Sequence, residues 1–240
     1  MSDNLFGPEL NAKRVAALIS SAAIIVLLFC LRTCGRQEKV KIQESKEYDY
    51  VTISPYDSLF RAYGDSLCDW KMLAAIAYVE SGFDTTHAEG GGPVGMMQLM
   101  PTTYHRMLVE CGMDSMEWSN ELNVMAASMY VHHLDSLFSF ISMPERMNYI
   151  LGSYNGGPGH VFDAMRLARR DGVNRYVWSN IAEILPTLAH DSVHTDQIVK
   201  AGRFEGITTV RYVEKVQKKF QEYKQLELLY DAAQQLAESL

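Results

Sequence analysis

WKMLAAIAYVESGFDTTHAEGGGPVGMMQLMP, residues 70–101, is the stretch on which the reading of this chain turns. It opens as an apolar run at helical spacing, delivers a carboxylate, passes through a glycine-rich turn and re-enters helix through an amide-bearing segment. Leu73, Ile76 and Ala77 precede Glu80 by seven, four and three residues, so all four share one face of a regular helix. Glu80 then stands at the apolar edge. A carboxyl group there loses hydration, which disfavours its charged form and raises its pKa toward the range a general acid needs. The plainer alternative is a solvated or cation-paired Glu near a helix end.

Outward from that stretch, length and composition set bounds. The 240 residues give room for one sizeable domain plus an appendage. An apolar fraction of 48% with 21% charged residues suits a globular protein and excludes disorder throughout. A formal net charge of −7 argues against nucleic acid as a partner, because phosphate neutralisation needs a basic surface. Any polymer gripped here would be held by hydrogen bonds and stacking. The 13 Tyr and 3 Trp supply surfaces for that as well as for a core.

Residues 1–14 are polar and end in Lys13-Arg14, just before an apolar run from Val15 to Leu31. That run reads as a transmembrane anchor or uncleaved signal, with the preceding basic pair on the cytoplasmic side. A lipoprotein acylated at Cys34 or Cys30 is the rival, although neither cysteine follows small residues. Residues 32–56 are rich in Lys, Glu, Gln and Ser and read as a polar linker.

From Asp57 helical spacing takes over. Leu59, Phe60 and Tyr63 lead to a break at Gly64, and Pro101-Thr102-Thr103 suits a helix start, with one of the threonines at the cap, running to about Cys111. Ser119 or Asn120 caps a segment to Leu137 whose apolar positions are Leu122, Met125, Ala126, Met129, Leu134 and Leu137. Pro144 opens a helix to Tyr154-Asn155, and Gly156-Gly157-Pro158-Gly159 ends it. Val161 to Arg170 is the next helix, Ile181 to Leu185 a short apolar turn, and Thr208 to Leu240 a long final helix. Almost nothing alternates at period two. The fold class is therefore mainly α, with at most a short hairpin near Glu89, and no internal repeat. Gly90-Gly91-Gly92-Pro93 marks a loop, and Met96-Met97 after Gly95 excludes a phosphate-cradling loop.

Four motifs now stand in order: Glu80-Ser81; Gly95-Met96-Met97-Gln98-Leu99-Met100-Pro101; Ser153-Tyr154-Asn155-Gly156-Gly157-Pro158-Gly159; and Tyr212-Val213. Together they resemble the family-23 lytic transglycosylases, relatives of goose-type lysozyme, from about Tyr56 to about Phe220. The later part, from Trp178 through Ile184-Leu185-Pro186 to Gly202, Gly206 and Tyr212, is most similar to the membrane-bound murein-cleaving members. The resemblance implies a lysozyme-like helical domain over residues 57–225 with a substrate cleft, and a helical extension over 226–240. It implies peptidoglycan glycan strands as substrate, the inner membrane as anchor, a catalytic domain outside it, and no cofactor.

In that family Glu80 would protonate the leaving oxygen and then take a proton from the sugar's own C6 hydroxyl, giving a 1,6-anhydro end. One conspicuous acid suffices, where many glycosidases need two. The resemblance assigns substrate contacts to Ser81, Met97, Gln98, Tyr154, Asn155 and Tyr212. Gln98 offers both donor and acceptor to a sugar; Met96 and Met97 suit a cleft floor or a core. Two positions depart from the family. Thr208 stands where members carry a bracing glutamate, and Glu89 where they carry a serine. Asp84, Glu89, Asp114 and Glu117 are the other acids near the motifs, and a second one in the cleft would admit a water-using, lysozyme-type hydrolase. A glycan-binding module without turnover is the reading from another class.

No metal site is expected. His190 and His194 stand four apart without the Glu of a zinc-protease motif or a third ligand, and His132-His133 face different ways on a helix. Cys68 and Cys111 read either as a disulfide across the active segment or as two free thiols.

Overall fold

The computed structural model describes residues 51–86, 91–113 and 118–239. The apolar run 15–31, the linker before Val51, and Glu89, Asp114 and Glu117 lie outside the described residues. Among those described no helix is long and apolar enough to cross a membrane. Thr52–Tyr223 forms one compact unit, and the stretch from Lys224 belongs to another.

The described residues hold helices and no strand: α1 (Asp57–Tyr63), α2 (Trp70–Ser81), α3 (Pro101–Glu110), α4 (Asn120–Leu137), α5 (Glu145–Gly156), α6 (Pro158–Arg170), α7 (Trp178–Ile184), a 3-10 turn (Leu185–Ala189), α8 (Asp191–His194) and α9 (Gly206–Glu238). A single antiparallel bridge joins Val94 and Leu99, and the place of the expected short hairpin, near Glu89, lies outside the described residues.

Local chemistry explains most boundaries. The Asp57 carboxylate, in the first turn of α1, accepts from the Ser54 amide at 2.8 Å and the Ser54 hydroxyl at 2.7 Å, which ties the incoming chain to the helix start. Asp69 caps α2 by accepting from the Lys71 amide at 2.9 Å, and Gly82 closes it in the left-handed region at φ 65°. Ser119 caps α4 through the Leu122 amide at 3.0 Å. Neither Thr102 nor Thr103 caps α3: Pro101 itself takes the first helical position after Met100, where its missing N–H costs nothing. The glycine run after Asn155 interrupts less than its composition suggests. Only Gly157 leaves helical geometry, at φ 84° and ψ 141°, and Pro158 starts α6 at once.

α4 is the central helix, packed against α1, α2, α3 and α5. With contacts on several sides, its buried face is displaced from the expected stripe: Asn123, Val124, Tyr130 and Val131 are buried, while Leu122, Met125, Met129 and Leu137 are only half-buried. At its end Phe138 is fully buried, stacked on Phe162 with ring centroids 4.9 Å apart. Cys68 is buried, Cys111 is partly exposed, and both are free thiols.

Two features deliver α9 to the rest of the unit. The fully buried Asp163 accepts from the amides of Lys200 and Ala201, each at 2.7 Å, and pairs with Arg166. This fixes the run that leads into α9. At Gly206 the helix then passes so close to the preceding 3-10 turn that a Cβ would lie 2.5 Å from the Leu185 carbonyl. Gly206→Ala is therefore expected to cost about 1–3 kcal/mol by overpacking. Denaturant unfolding measures it; an unchanged midpoint would contradict the close approach.

Candidate active site

A cavity of about 380 Å³ is lined by Glu80, Gln98, Tyr130, Tyr154, Asn155 and Gly156, among others. Five elements meet there: the last turn of α2, the 94–99 turn, the start of α3 at Thr103, α4 and the end of α5. A larger cavity of about 440 Å³, lined by Phe140, Phe162, Met165, Arg166, Arg175 and Tyr176, contains no carboxyl group.

Lys71 through Ala77 form an unbroken buried run, including Leu73, Ile76 and Ala77 of the expected face. Glu80, one turn on, is half-buried at the cavity edge. Burial pushes its carboxyl up to about 7, against a smaller opposing pull from the Tyr212 hydroxyl. That hydroxyl is buried beside Glu80 but stands outside full hydrogen-bond geometry to any protein atom. Burial and the Glu80 charge in turn hold the Tyr212 phenol well above its ordinary value, which keeps it a neutral donor.

The 94–99 segment is a tight turn rather than the start of a helix. Val94 N–H donates to the Leu99 carbonyl at 2.8 Å, and Gln98 N–H to the Gly95 carbonyl at 3.1 Å. Gln98 has φ 47°, uncommon for a residue with a side chain. Asn123 clamps the turn, accepting from Met97 N–H at 2.9 Å and donating to the Val94 carbonyl at 3.2 Å. Gly95 is required at φ 66°, where a Cβ would stand 2.2 Å from the Trp118 ring. Gln98 Nε2 spends one N–H on the Gly95 carbonyl at 2.8 Å, which leaves its second N–H and its Oε1 for the cavity.

The other expected contacts divide. Asn155 is exposed at the end of α5 and lines the cavity. Tyr154 lines it with its ring, while its hydroxyl donates to the Met97 carbonyl at 2.8 Å. Met97 itself is fully buried behind the wall, so its expected place on the cleft floor is corrected: it contributes a backbone carbonyl. Ser81 turns away from the cavity and donates to the Met96 carbonyl at 2.9 Å. Asp84 is exposed and holds a local turn through the Thr86 amide. Among the described lining residues Glu80 is the sole acid. Sequence reasoning missed Tyr130 and Asn123. A buried asparagine inside a helix was the available signal, since it needs partners for its amide.

Residues 59–177 match the transglycosylase SLT domain. The chain carries a transglycosylase SLT domain. Over 183 residues it is 33% identical to the membrane-bound lytic murein transglycosylase F of Maricaulis maris, covering 71% of this chain and 39% of that protein. The same name belongs to a relative in Actinobacillus pleuropneumoniae serotype 7, 33% identical over 180 residues, 75% of this chain and 36% of the relative. The chain thus spans under two-fifths of the length of these relatives. The fold is that of lytic transglycosylase Slt from Pseudomonas aeruginosa, with a TM-score of 0.53 at 19% identity over 71% of this chain and 24% of that one. The 70 kDa soluble lytic transglycosylase of Escherichia coli gives 0.51 at 18% identity, over 73% and 25%.

A carboxyl with its pKa raised on folding stabilises the SLT domain below its unfolded value of 4.5, and that contribution is lost as pH rises through about 7. Glu80→Gln removes the penalty of ionising in place. The variant is expected to be more stable than wild type at pH 8, by up to about 3 kcal/mol, and to lose that advantage by pH 5. Melting curves at the two pH values check it; a constant difference would contradict the buried acid.

Proposed function

We propose that this chain is a peptidoglycan lytic transglycosylase that cleaves the β-1,4 bond between N-acetylmuramic acid and N-acetylglucosamine. The observation that carries the reading is a single dehydrated acid, Glu80, at the edge of a cavity walled by amides and phenols. Near neutrality this carboxyl is protonated often enough to donate. It gives its proton to the glycosidic oxygen as the bond to the muramic acid C1 breaks. The resulting carboxylate takes the proton of the same sugar's C6 hydroxyl, whose oxygen closes on C1. A 1,6-anhydro ring forms, no water is consumed, and the acid ends protonated as it began.

The remaining residues fit supporting roles. Tyr212 donates toward Glu80 and is strongest when the carboxylate is charged, which stabilises the state after the first proton transfer. Gln98 offers an acceptor, Asn155 an amide, and the Tyr130 and Tyr154 rings an apolar wall for the sugar. Ser81 and Met97 act through the backbone that shapes this wall. Glu80, the sole acid among the described lining residues, suits a mechanism whose nucleophile is the sugar's own hydroxyl.

The names of the relatives, together with the apolar run 15–31, support attachment to the inner membrane. We place residues 57–225 outside it as the catalytic domain, on a tether over 32–56, with 226–240 as a helical extension. The substrate is then the glycan strands of the wall.

Digestion of purified sacculi followed by mass analysis of the muropeptides tests this. Anhydro-ended products are expected, with Glu80→Gln slower by about 10³-fold and activity falling as pH rises through about 7. Reducing-end products would replace the reading with a lysozyme-type hydrolase. Equal solubilisation by both proteins would remove Glu80 from catalysis, and binding without products from wild type would leave a glycan-binding module.

A further inference from the structure

The first turn of α9 presents two adjacent threonines that behave differently. Thr208, the departure from the family pattern, is exposed, and its hydroxyl donates at 3.0 Å to the Glu205 carbonyl of its own helix start. Thr209 is fully buried, and its hydroxyl donates at 2.7 Å to Asn155 Oδ1, 54 residues away in sequence. It is the contact that ties α9 to the amide at the cavity.

We propose that Thr209 is a positioning residue for the reaction assigned above: it holds the Asn155 carboxamide in the one orientation that turns its NH2 toward the bound sugar. The inference rests on the glycan reading of the cleft. A carboxamide is nearly symmetric in shape, and its two flipped forms differ only in whether they show a substrate two N–H donors or a carbonyl acceptor. An exposed asparagine at a helix end has little else to choose between them. Once Oδ1 is occupied by the Thr209 hydroxyl, Asn155 reads acceptor atoms, such as the carbonyl oxygen of an acetamido group, while Gln98, also in the lining, offers its Oε1 and its remaining N–H.

The packing around this contact leaves it little play. A Cβ at Gly156 would lie 2.9 Å from Thr209 Oγ1 and 2.7 Å from the Phe204 ring, so the backbone beside Asn155 is pressed against the threonine. Three residues on, the same face of α9 carries Tyr212 to Glu80. One turn of helix therefore orients both the amide and the phenol, and Thr209 carries the first of these from a position with no view of the substrate.

The test measures affinity for an N-acetylglucosamine tetramer and the rate of sacculus solubilisation. It compares wild type, Thr209→Val, Thr209→Ser and Asn155→Ala, with Thr209→Val also placed in the Asn155→Ala background. Thr209→Val keeps shape and loses the hydroxyl. It is expected to weaken affinity and turnover about tenfold, the worth of one well-placed hydrogen bond. Thr209→Ser restores both, and Thr209→Val costs nothing further once Asn155 is alanine. Wild-type values for Thr209→Val, or the same loss in both backgrounds, would overturn the proposal. Should Thr209→Val fail to fold, Asn155→Asp decides, because it keeps the oxygen Thr209 holds and removes the NH2. A loss as large as that of Asn155→Ala is expected, and wild-type affinity would overturn the assignment. A wild type that binds the tetramer without releasing muropeptides counts against the transglycosylase reading alone, and the affinity series still decides the role of Thr209.

Discussion

A carboxyl group taken out of water has two ways to avoid the cost of its charge: find a cation, or keep its proton. Glu80 takes the second. The seven buried residues from Lys71 to Ala77 carry α2 through the core, and Gly82 ends the helix in the left-handed region just past the acid. Glu80 is thereby held at the inner edge of the cavity, with a phenol rather than a guanidinium or ammonium as its neighbour. A positive partner would have lowered its pKa and left it ionised. A hydroxyl shifts the balance only slightly, so burial dominates and the group titrates near neutrality.

The surrounding elements converge on one dipeptide. The carbonyl of Met96 accepts from Ser81 on α2, the carbonyl of Met97 from Tyr154 on α5, and the amide of Met97 donates to Asn123 on α4. Three helices are thus pinned to two consecutive backbone units, while both methionine side chains fill the core. This explains why the 94–99 turn can sustain a non-glycine residue at positive φ: the strain at Gln98 is held by bonds from several directions. It also fixes the cavity wall before any sugar arrives, which is what an acid that must meet one oxygen requires.

What could be read from the sequence was what local spacing controls. The face shared by Leu73, Ile76, Ala77 and Glu80, the caps at Ser119 and Gly64, and the helix ending at Tyr154-Asn155 all follow from period, cap chemistry and glycine. What escaped depends on contacts between distant residues. Gln98 looked helical because the turn that holds it is closed by Asn123, 25 positions later in the chain. Met97 could be floor or core, because pliable apolar side chains serve both and only packing decides. The buried face of α4 departs from its apolar stripe because a central helix is buried by its neighbours on several sides, and these are not legible in local spacing. The family pattern breaks at Thr208, whereas the buried hydroxyl belongs to its neighbour Thr209.

The central claim, that burial alone keeps this acid protonated near neutrality, is tested most directly by titrating it. Selective carboxyl carbon-13 labelling of glutamate, with Glu80→Gln to assign the resonance, follows its chemical shift against pH in the uncomplexed protein. A midpoint near 7 is the predicted result. A midpoint close to the ordinary glutamate value of 4.5 would mean that the carboxyl is solvated, and the account of the site built upon it would be contradicted.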